Sequence, residues 1–403
     1  MKQFRDWMHG KGQGAVMVIA ALAAMGMVLH YAVIERGIIA GSQSQPALSE
    51  SIESKERAGS FIGPAKKEAG QAKKTEDAAP KGPEKPETPI RLGFAGDICL
   101  DDTCAVMRHM KKRGGISKVI SPELIEKMNS YDSMIINNEF SISGRGKPME
   151  GKAYTFRSSP SNVKYLKKLG VDVAGLANNH IYDYGKKAFL DTLDYLKKAG
   201  IKTMGAGKNI KEARKPLYLK IKGKTIALVA ATRAEKYILT PEAGKNSPGV
   251  FRTYDDRQYV KEIKRAGKKA DYVIAYVHWG TEYSTDLEEA QIQQAKDYIN
   301  AGADAVVGAH THCLQGTGYY KGVPIIYSLG NFWFNEKTLY TTILEIDITG
   351  EGKLSARMLP CLQGGKETKL LTKPSQIKKF IKYVNKISTN AKLDAKGNLK
   401  RKK

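Results

Sequence analysis

From Ile90 onward, short apolar runs alternate with segments of helical periodicity, and this alternation restricts the possible folds more than any other feature. The apolar runs are IRLGFAG, SMIIN, VDVAGLA, TIALVAA, DYVIAYV, ADAVVGA, VPIIYSLG and TTILEIDI. Helical patterns lie between several of them, at residues 162–169, 185–199, 255–268 and 287–301. Strands that alternate with helices predict an α/β domain with largely buried sheets. Lys222-Gly223-Lys224 separates two strand-like runs and predicts a hairpin turn.

The N-terminal part of the chain has a different character. Residues 15–34 carry no formal charge, and a helix of that length would cross the hydrocarbon core of a bilayer, about 30 Å thick. Basic residues precede this run, which favours a cytoplasmic N-terminus over residues 1–14 and an extracytoplasmic location for the remainder. We expect an uncleaved anchor in the cell membrane. A cleaved signal peptide is the alternative, although charged residues follow the run at once and make a poor cleavage site.

Composition suggests how the rest of the chain is divided. Residues 35–89 are rich in Ser, Lys, Glu, Ala and Pro, which predicts a disordered linker. The globular domain is expected over residues 90–360. A basic C-terminal segment follows over residues 361–403, where we predict a helix at residues 375–388 and disorder in the final dozen residues.

The formal net charge of +25 is the strongest compositional signal. Residues 366–403 alone hold 13 Lys and Arg against 2 Asp and Glu. Such a surface attracts polyanions, namely nucleic acid, anionic lipid, wall polymers or polyglutamate, although solvated faces of a lysine-rich protein are an equally open explanation. The expected outward topology and the lack of a recognisable motif argue against nucleic acid as a partner. Four cysteines in 403 residues do not indicate a disulfide-framed fold.

Five of the apolar runs end in residues of the types that bind metals or act in catalysis. In chain order these are Asp97, Asn138-Glu139, Asn178-Asn179-His180, His278 and His310-Thr311-His312. Ligand sites of α/β sheets assemble at the carboxyl ends of strands, because the loops there project several groups into one crevice. Imidazole and carboxylate together suit zinc, manganese or iron, and this mixed set fits a site for two metal ions.

The His310-Thr311-His312 spacing supports the same interpretation. In an extended segment, residues two apart point the same way, so both imidazoles would face one site. Cys313 would then face the opposite way and serve in packing.

Six motifs occur in the order seen in proteins of the CapA family. They are GDICL (96–100), NNEFS (137–141), LANNHIYDYG (176–185), VHWGTEY (277–283), GAHTH (308–312) and YSLGNFWF (327–334). The chain therefore resembles this family, whose members act in the synthesis of capsular poly-γ-glutamate. The family is in turn similar to the calcineurin-like metallophosphoesterases. The resemblance implies a metallophosphatase-like β-sandwich flanked by helices, with a metal site at one edge. The transmembrane helix and linker expected from the composition would precede it.

The resemblance also implies roles for individual residues. One or two divalent ions (Mn, Zn or Fe) would be held by Asp97, Glu139, Asn179, His278, His310 and His312, with Glu139 as the bridge. His180 would act as general acid or as a stabiliser of the transition state, while a supporting or substrate-binding role would fall to Asn178, Asp183, Glu282 and Asn331. For these four, a turn or helix cap is an equally good explanation.

The first motif departs from the phosphoesterase pattern. The usual Asp-x-His is replaced by Asp97-Ile98-Cys99. Cys99 would be a soft ligand, a partner of Cys104, or inert, and the second metal position is weakened accordingly.

Three functions fit these observations. The first is a membrane-anchored component for synthesis, export or anchoring of poly-γ-glutamate, placed beside synthase or exporter subunits. The second is an extracellular metal-dependent hydrolase of phosphoesters. The third is a polyanion-binding module whose metal site is vestigial. Metal content and an aryl phosphodiester assay separate the second function from the others. Loss of capsule on deletion, restored by a metal-ligand variant, would favour the third function over the first.

Overall fold

A computed structural model describes residues 88–235 and 239–402. The predicted cytoplasmic N-terminus, the anchor at residues 15–34 and nearly all of the linker lie outside the described residues. Within the part of the chain that the structure describes, no helix combines the length and apolarity needed to cross a membrane.

The described residues form strands and helices in the alternating order that the apolar runs predict. The strands are β1 (Ile90–Ile98), β2 (Ser133–Asn138), β3 (Ser141–Ile142), β4 (Arg157–Ser158), β5 (Val173–Gly175), β6 (Lys202–Met204), β7 (Ala206–Gly207), β8 (Leu217–Ile221), β9 (Lys224–Thr232), β10 (Gly249–Val250), β11 (Tyr272–Trp279), β12 (Ala305–His310), β13 (Thr317–Tyr320), β14 (Val323–Ile326), β15 (Asn331–Trp333), β16 (Leu339–Ile348), β17 (Leu354–Gly364), β18 (Glu367–Leu370), β19 (Ala391–Leu393) and β20 (Leu399–Arg401). The helices are α1 (Ala105–Arg113), α2 (Pro122–Asn129), α3 (Val163–Lys168), α4 (Gly185–Lys198), α5 (Ile210–Ala213), α6 (Arg257–Gly267), α7 (Glu289–Asn300) and α8 (Pro374–Ile387).

Most strands belong to two mixed sheets. The first sheet has the order β18-β17-β16-β1-β2-β5-β6, with β15 paired to β1, and its β1-β2-β5-β6 half is parallel. The second has the order β13-β14-β12-β11-β9-β8, with β14, β12, β11 and β9 parallel. Its β8–β9 hairpin turns at Lys222-Gly223, where both residues have a positive φ, as the sequence predicts.

The two sheets pack face to face, and helices cover their outer faces. Phe94 of β1 stacks on Tyr276 of β11 with ring centroids 6.5 Å apart, in a core shared by both sheets. Outside the first sheet, α1–α4 bury residues such as Met110 and Phe189, while α6 and α7 bury Tyr259 and Tyr298 against the second. The α/β, helix-flanked architecture predicted from the sequence is therefore confirmed.

The C-terminal segment is ordered to Lys402, so the prediction of disorder in the final dozen residues is wrong. The predicted helix forms as α8, and the chain continues into the β19–β20 hairpin. Leu393 and Leu399 of this hairpin are buried in the shared core. Lysines of this terminal segment alternate with these apolar residues, and such alternation is the pattern of a half-buried strand.

Candidate metal centre

The predicted ligand residues lie at adjacent strand ends. Parallel pairing of β1 with β2, and of β11 with β12, sets the carboxyl ends of each pair side by side. The segment before β15 joins the two sheets there. The Asp97 amide donates to the Gly330 carbonyl at 2.9 Å, and the Leu329 amide donates to the Gly308 carbonyl at 3.1 Å. Two sheets therefore contribute side chains to one crevice.

Glycine at position 308 permits this close approach, since a Cβ there would lie 1.9 Å from the Tyr327 carbonyl oxygen. We expect Gly308→Ala to lower the free energy of unfolding by about 1–3 kcal/mol and to weaken metal binding, because the strand carries His310. Gly267→Ala in α6 is the control, since its added carbon would meet nothing nearer than 3.9 Å. Equal urea midpoints for the two variants would contradict this account.

One group of potential ligands comprises Glu139, His278 and His310, whose ligand atoms all lie within 4.8 Å of one another. All three residues are buried, and the imidazole centroids of His278 and His310 are 4.5 Å apart. The amide oxygen of Asn179 lies 2.8 Å from His278 Nε2, so it adds a potential oxygen ligand beside this group.

A second group comprises Asp97, Glu139 and His312, again with ligand atoms within 4.8 Å. Glu139 thus belongs to both groups, in the bridging position that the resemblance implies. His312 Nδ1 lies 3.2 Å from Asp97 Oδ2, but its 2.8 Å hydrogen bond goes to the Asn331 side-chain oxygen. The Asp97 contact is a close charge pair without hydrogen-bond geometry.

Several atoms of these groups are buried without a hydrogen-bond partner among the described residues. They include Asp97 Oδ2, Glu139 Oε1 and His310 Nδ1. A buried, unpartnered polar atom costs free energy, and clusters of them require an explanation. Carboxylate oxygens and imidazole nitrogens gathered in two groups that share Glu139 fit divalent cations, so the residues present suit the implied metal pair.

The backbone conformation of the two paired histidines differs from the extended form assumed in the sequence analysis. His310 has φ 101° and His312 has φ 56°, both in the left-handed region. The two side chains consequently enter different ligand groups, and their ring centroids are 6.1 Å apart. Non-glycine residues in this region are strained, and such strain concentrates at functional sites. The convergence of His310 and His312 was predicted, but by the wrong geometric argument.

Burial and neighbouring charges perturb the acid–base properties of the site. Burial, followed by the charges of Asp97, Glu282 and Asp183, raises the pKa of Glu139 well above its usual range. Burial, and then the nearby imidazoles, lower the pKa values of His278 and His310. Burial alone would also lower the pKa of His312, yet that pKa is raised because the Asp97 carboxylate favours the imidazolium.

These directions predict how metal uptake depends on pH. Glu139 and His312 retain protons to higher pH than usual, and a cation must displace them, while neutral His278 and His310 are ready to bind. Affinity should therefore rise from pH 6 to pH 8, with release of about one to two protons. Calorimetry in two buffers of different ionisation enthalpy measures this release, and Glu139→Gln should release fewer protons. A pH-independent affinity would contradict the assignment.

The four residues assigned a supporting role lie around the two groups without belonging to either. Asn178 donates to the Asn137 side-chain oxygen and accepts from the His180 amide. Asp183 accepts from His180 Nδ1 at 2.8 Å. Asn331 accepts from His312, as described above, and Glu282 is exposed at the mouth of the site.

His180 stands where the cavity meets the ligand groups. Its ring packs against Phe156 with centroids 4.5 Å apart, and the carboxylate of Asp183 fixes Nδ1 as the donor. Within the described residues, Nε2 has no hydrogen-bond partner and remains available to a bound molecule. This arrangement suits proton donation to a leaving oxygen.

Two residues at this site were missed by the sequence analysis. The Asn137 side-chain amide donates to Asp97 Oδ1 at 2.7 Å and to Glu139 Oε2 at 3.0 Å, so it bridges the two carboxylates. Lys152 Nζ lies 2.7 Å from Oδ1 of Asp183, whose other carboxylate oxygen accepts the hydrogen bond from His180. The NNEFS motif already contained Asn137, whereas nothing in the sequence distinguishes Lys152 from other lysines.

Cys99 belongs to neither ligand group. It is fully buried, and burial, followed by the neighbouring Cys104 thiol, raises the pKa of the Cys99 thiol. A thiol with a raised pKa stays protonated at neutral pH and is a poor metal ligand. The group around Asp97 therefore has three protein side chains, and the missing motif histidine is not replaced.

A cavity of about 350 Å³ opens above the ligand groups. Its floor includes His180 and His312, and its walls are largely aromatic, with Tyr154, Tyr283 and Phe334. A larger surface cavity of about 580 Å³ lies between α4 and β8 and contains none of the ligand residues. The smaller cavity is the one that gives a substrate access to the candidate centre.

Comparison with known sequences identifies relatives over most of the described domain. The family model for the bacterial capsule synthesis protein PGA_cap matches residues 91–336. The PGA biosynthesis protein CapA of Bacillus subtilis (strain 168) is 33% identical over 248 residues, which are 61% of this chain and 64% of that protein. The capsule biosynthesis protein CapA of Bacillus anthracis is 39% identical over 178 residues, 43% of each chain. The chain thus spans less than two thirds of either relative.

Comparison with solved structures gives weaker similarities. A phosphatase from Mycoplasma pneumoniae is 12% identical, with a TM-score of 0.45 over 69% of this chain and 95% of that chain. The NAD nucleotidase of Haemophilus influenzae is 13% identical, with a TM-score of 0.41 over 75% of this chain and 64% of that chain. TM-scores below 0.5 do not establish a common fold.

Proposed function

Because this chain belongs to the family of bacterial capsule synthesis proteins, we propose that it is a membrane-anchored, metal-dependent hydrolase that acts on a phosphoester in the production of an anionic capsular polymer, poly-γ-glutamate. The hydrolase activity is proposed because two groups of buried ligand residues share Glu139 and contain polar atoms without a hydrogen-bond partner in the described residues. The polymer is proposed from the relatives, which are named as a PGA biosynthesis protein and a capsule biosynthesis protein.

The chemistry divides between the cations and the protein. A pair of divalent ions would supply charge to stabilise a phosphoryl group and to activate water. Glu139, His278, His310 and Asn179 would hold one ion, and Asp97, Glu139 and His312 the other. His180 holds a proton at Nε2 for the leaving oxygen, and Asp183 keeps the imidazole in that orientation through Nδ1.

A non-catalytic role is the competing function, favoured by the absence of a ligand at the Cys99 position. Metal analysis of the purified full-length chain, followed by hydrolysis of bis(4-nitrophenyl) phosphate, tests the proposal. We expect metal to be present and His180→Ala to reduce turnover by about 10²–10⁴-fold with unchanged metal content. Undiminished turnover in this variant would remove His180 from the mechanism, and metal-free protein would favour the binding module.

The location is also part of the proposal. Residues 15–34 would anchor the chain in the cell membrane and place the described domain outside, next to a membrane-bound synthase or exporter. Reporter fusions after residue 89 test this topology. A cytoplasmic reporter signal would contradict it without affecting the proposed chemistry.

A further inference from the structure

The C-terminal helix α8 presents a row of lysines to solvent. Phe380 and Val384 on its inner face are fully buried, and the opposite face carries the exposed lysines Lys378, Lys379, Lys382 and Lys386. Lys378, Lys382 and Lys386 follow one another at intervals of four residues, so they form a stripe along one side of the helix. Successive lysines of this stripe are separated by about 6 Å along the helix axis.

No carboxylate balances this stripe within the described residues. None of the four lysines forms an ion pair there, and residues 371–402 contain one acidic residue, Asp394. Asp394 accepts hydrogen bonds from the main-chain amides of Lys396 and Asn398, which occupies it in the β19–β20 turn. Like charges four residues apart on a helix repel one another. The described residues therefore do not neutralise the positive charge of the stripe, which is available to an anionic partner.

The stripe belongs to a rigid part of the domain. Asn385 fixes α8 to β19, because its side chain donates to the Leu393 carbonyl at 3.1 Å and accepts from the Leu393 amide at 2.6 Å. The last turn of α8 packs against Gly316, where a Cβ would lie 2.0 Å from the Ile387 carbonyl oxygen. Gly316 follows the metal-centre residue His312 by four positions. The end of α8 thus packs against the chain segment that follows the candidate centre.

We propose that the Lys378–Lys382–Lys386 stripe is a docking site for a linear polycarboxylate, separate from the metal centre. The inference rests on the proposed function for the identity of the polymer. The three lysines lie in line over about 12 Å of the helix. A polymer with a carboxylate on every residue can pair one carboxylate with each ammonium group, so the occupant is argued from charge complementarity along a linear surface.

A membrane surface is the other anionic partner of comparable size, and the fold disfavours it. Interfacial helices bind bilayers by inserting an apolar face beneath a basic one. The apolar face of α8 is already buried in the protein core, through Phe380 and Val384. Only the charged face remains available, which fits a soluble, flexible polyanion.

The test compares two triple charge reversals in the full-length chain. One changes the stripe (Lys378→Glu, Lys382→Glu and Lys386→Glu). The control makes the same change on the exposed face of the segment at α6 (Lys261→Glu, Lys264→Glu and Lys268→Glu), so the net charge is equal. Binding of poly-γ-glutamate should weaken at least about 10-fold in the stripe variant and much less in the control, because only the local field differs. A stripe variant with glutamines should be intermediate.

Several outcomes would overturn the proposal. Equal losses in both triple variants would assign binding to net charge. Stripe-dependent binding to phosphatidylglycerol vesicles, without polymer binding, would assign the surface to the membrane. Hydrolysis of bis(4-nitrophenyl) phosphate should be unchanged in the stripe variant, which reports correct folding. Intact hydrolysis with unaltered polymer binding would defeat this inference alone, whereas polymer binding without any hydrolysis would defeat the proposed function alone.

Discussion

Glu139→Gln should reduce phosphodiester hydrolysis at least about 10³-fold, which corresponds to roughly 4 kcal/mol of transition-state stabilisation. Glu139 belongs to both ligand groups found in the described residues, so its charge would balance two cations at once. Glutamine keeps the shape and one oxygen but removes that charge. We therefore expect metal content to fall together with turnover, as measured by elemental analysis and steady-state kinetics on the same preparation.

The stability of the metal-free protein distinguishes loss of a ligand from loss of the fold. Because burial raises the pKa of Glu139, the metal-free site already favours the neutral acid, which glutamine imitates. The melting temperature of metal-free Glu139→Gln should accordingly not fall. Glu282→Gln, an exposed carboxylate at the cavity mouth, is the matched control and should retain its metal. Full metal content and turnover in Glu139→Gln would contradict the bridging assignment.

The architecture could be predicted because buried strands and helices show recognisable patterns of apolar residues in the sequence. Strands such as β11 and β12 are covered on both faces and appear as unbroken apolar runs. The β19–β20 hairpin was missed because it is half-buried, and the lysines between Ala391, Leu393 and Leu399 dominate its composition. The residue composition of such a half-buried segment is dominated by its solvent-exposed side chains. The alternation of apolar and polar residues, in contrast, shows which face packs against the core.

The residues of the candidate site that lie directly at strand ends could be predicted. Asp97, Glu139 and His278 need only the rule that carboxyl ends of neighbouring strands meet. The positive φ angles of His310 and His312 could not be derived, because non-glycine residues rarely adopt them and only the surrounding contacts enforce them. Metal binding by these residues remains a prediction that elemental analysis would test.

Lys152 illustrates a contact that no sequence pattern reveals. It lies in the long connection between β3 and β4, with no apolar run beside it, and the chain has 66 Lys and Arg residues from which to choose. Its partners Asp183 and Glu235 are 31 and 83 positions away along the chain. Long-range ion pairs between loops are determined by the folded structure, and the structure alone identifies them.

Lys152→Met should lower the free energy of unfolding by about 3–5 kcal/mol, the cost of removing one partner from a buried charge cluster. The Lys152 side chain is 6% exposed and that of Asp183 is fully buried, with Nζ 2.7 Å from Asp183 Oδ1 and 3.0 Å from Glu235 Oε1. Methionine preserves most of the volume, so the loss would report charge rather than packing. Urea denaturation measures it, and Lys147→Met, at an exposed lysine of the same connection, should change stability by less than about 0.5 kcal/mol.

A second substitution shows whether the loss comes from uncompensated carboxylates. Adding Glu235→Gln to Lys152→Met removes one of the two acids left without a cation and should restore part of the stability, since an unpaired buried charge is the main cost. Lys152 also donates to the Asn179 carbonyl, and Asp183 orients His180, so turnover should remain impaired in the double variant. Recovery of stability without recovery of turnover would separate the two roles of the ammonium group. Full recovery of both would mean that Lys152 stabilises the fold and contributes nothing to the geometry of the metal centre.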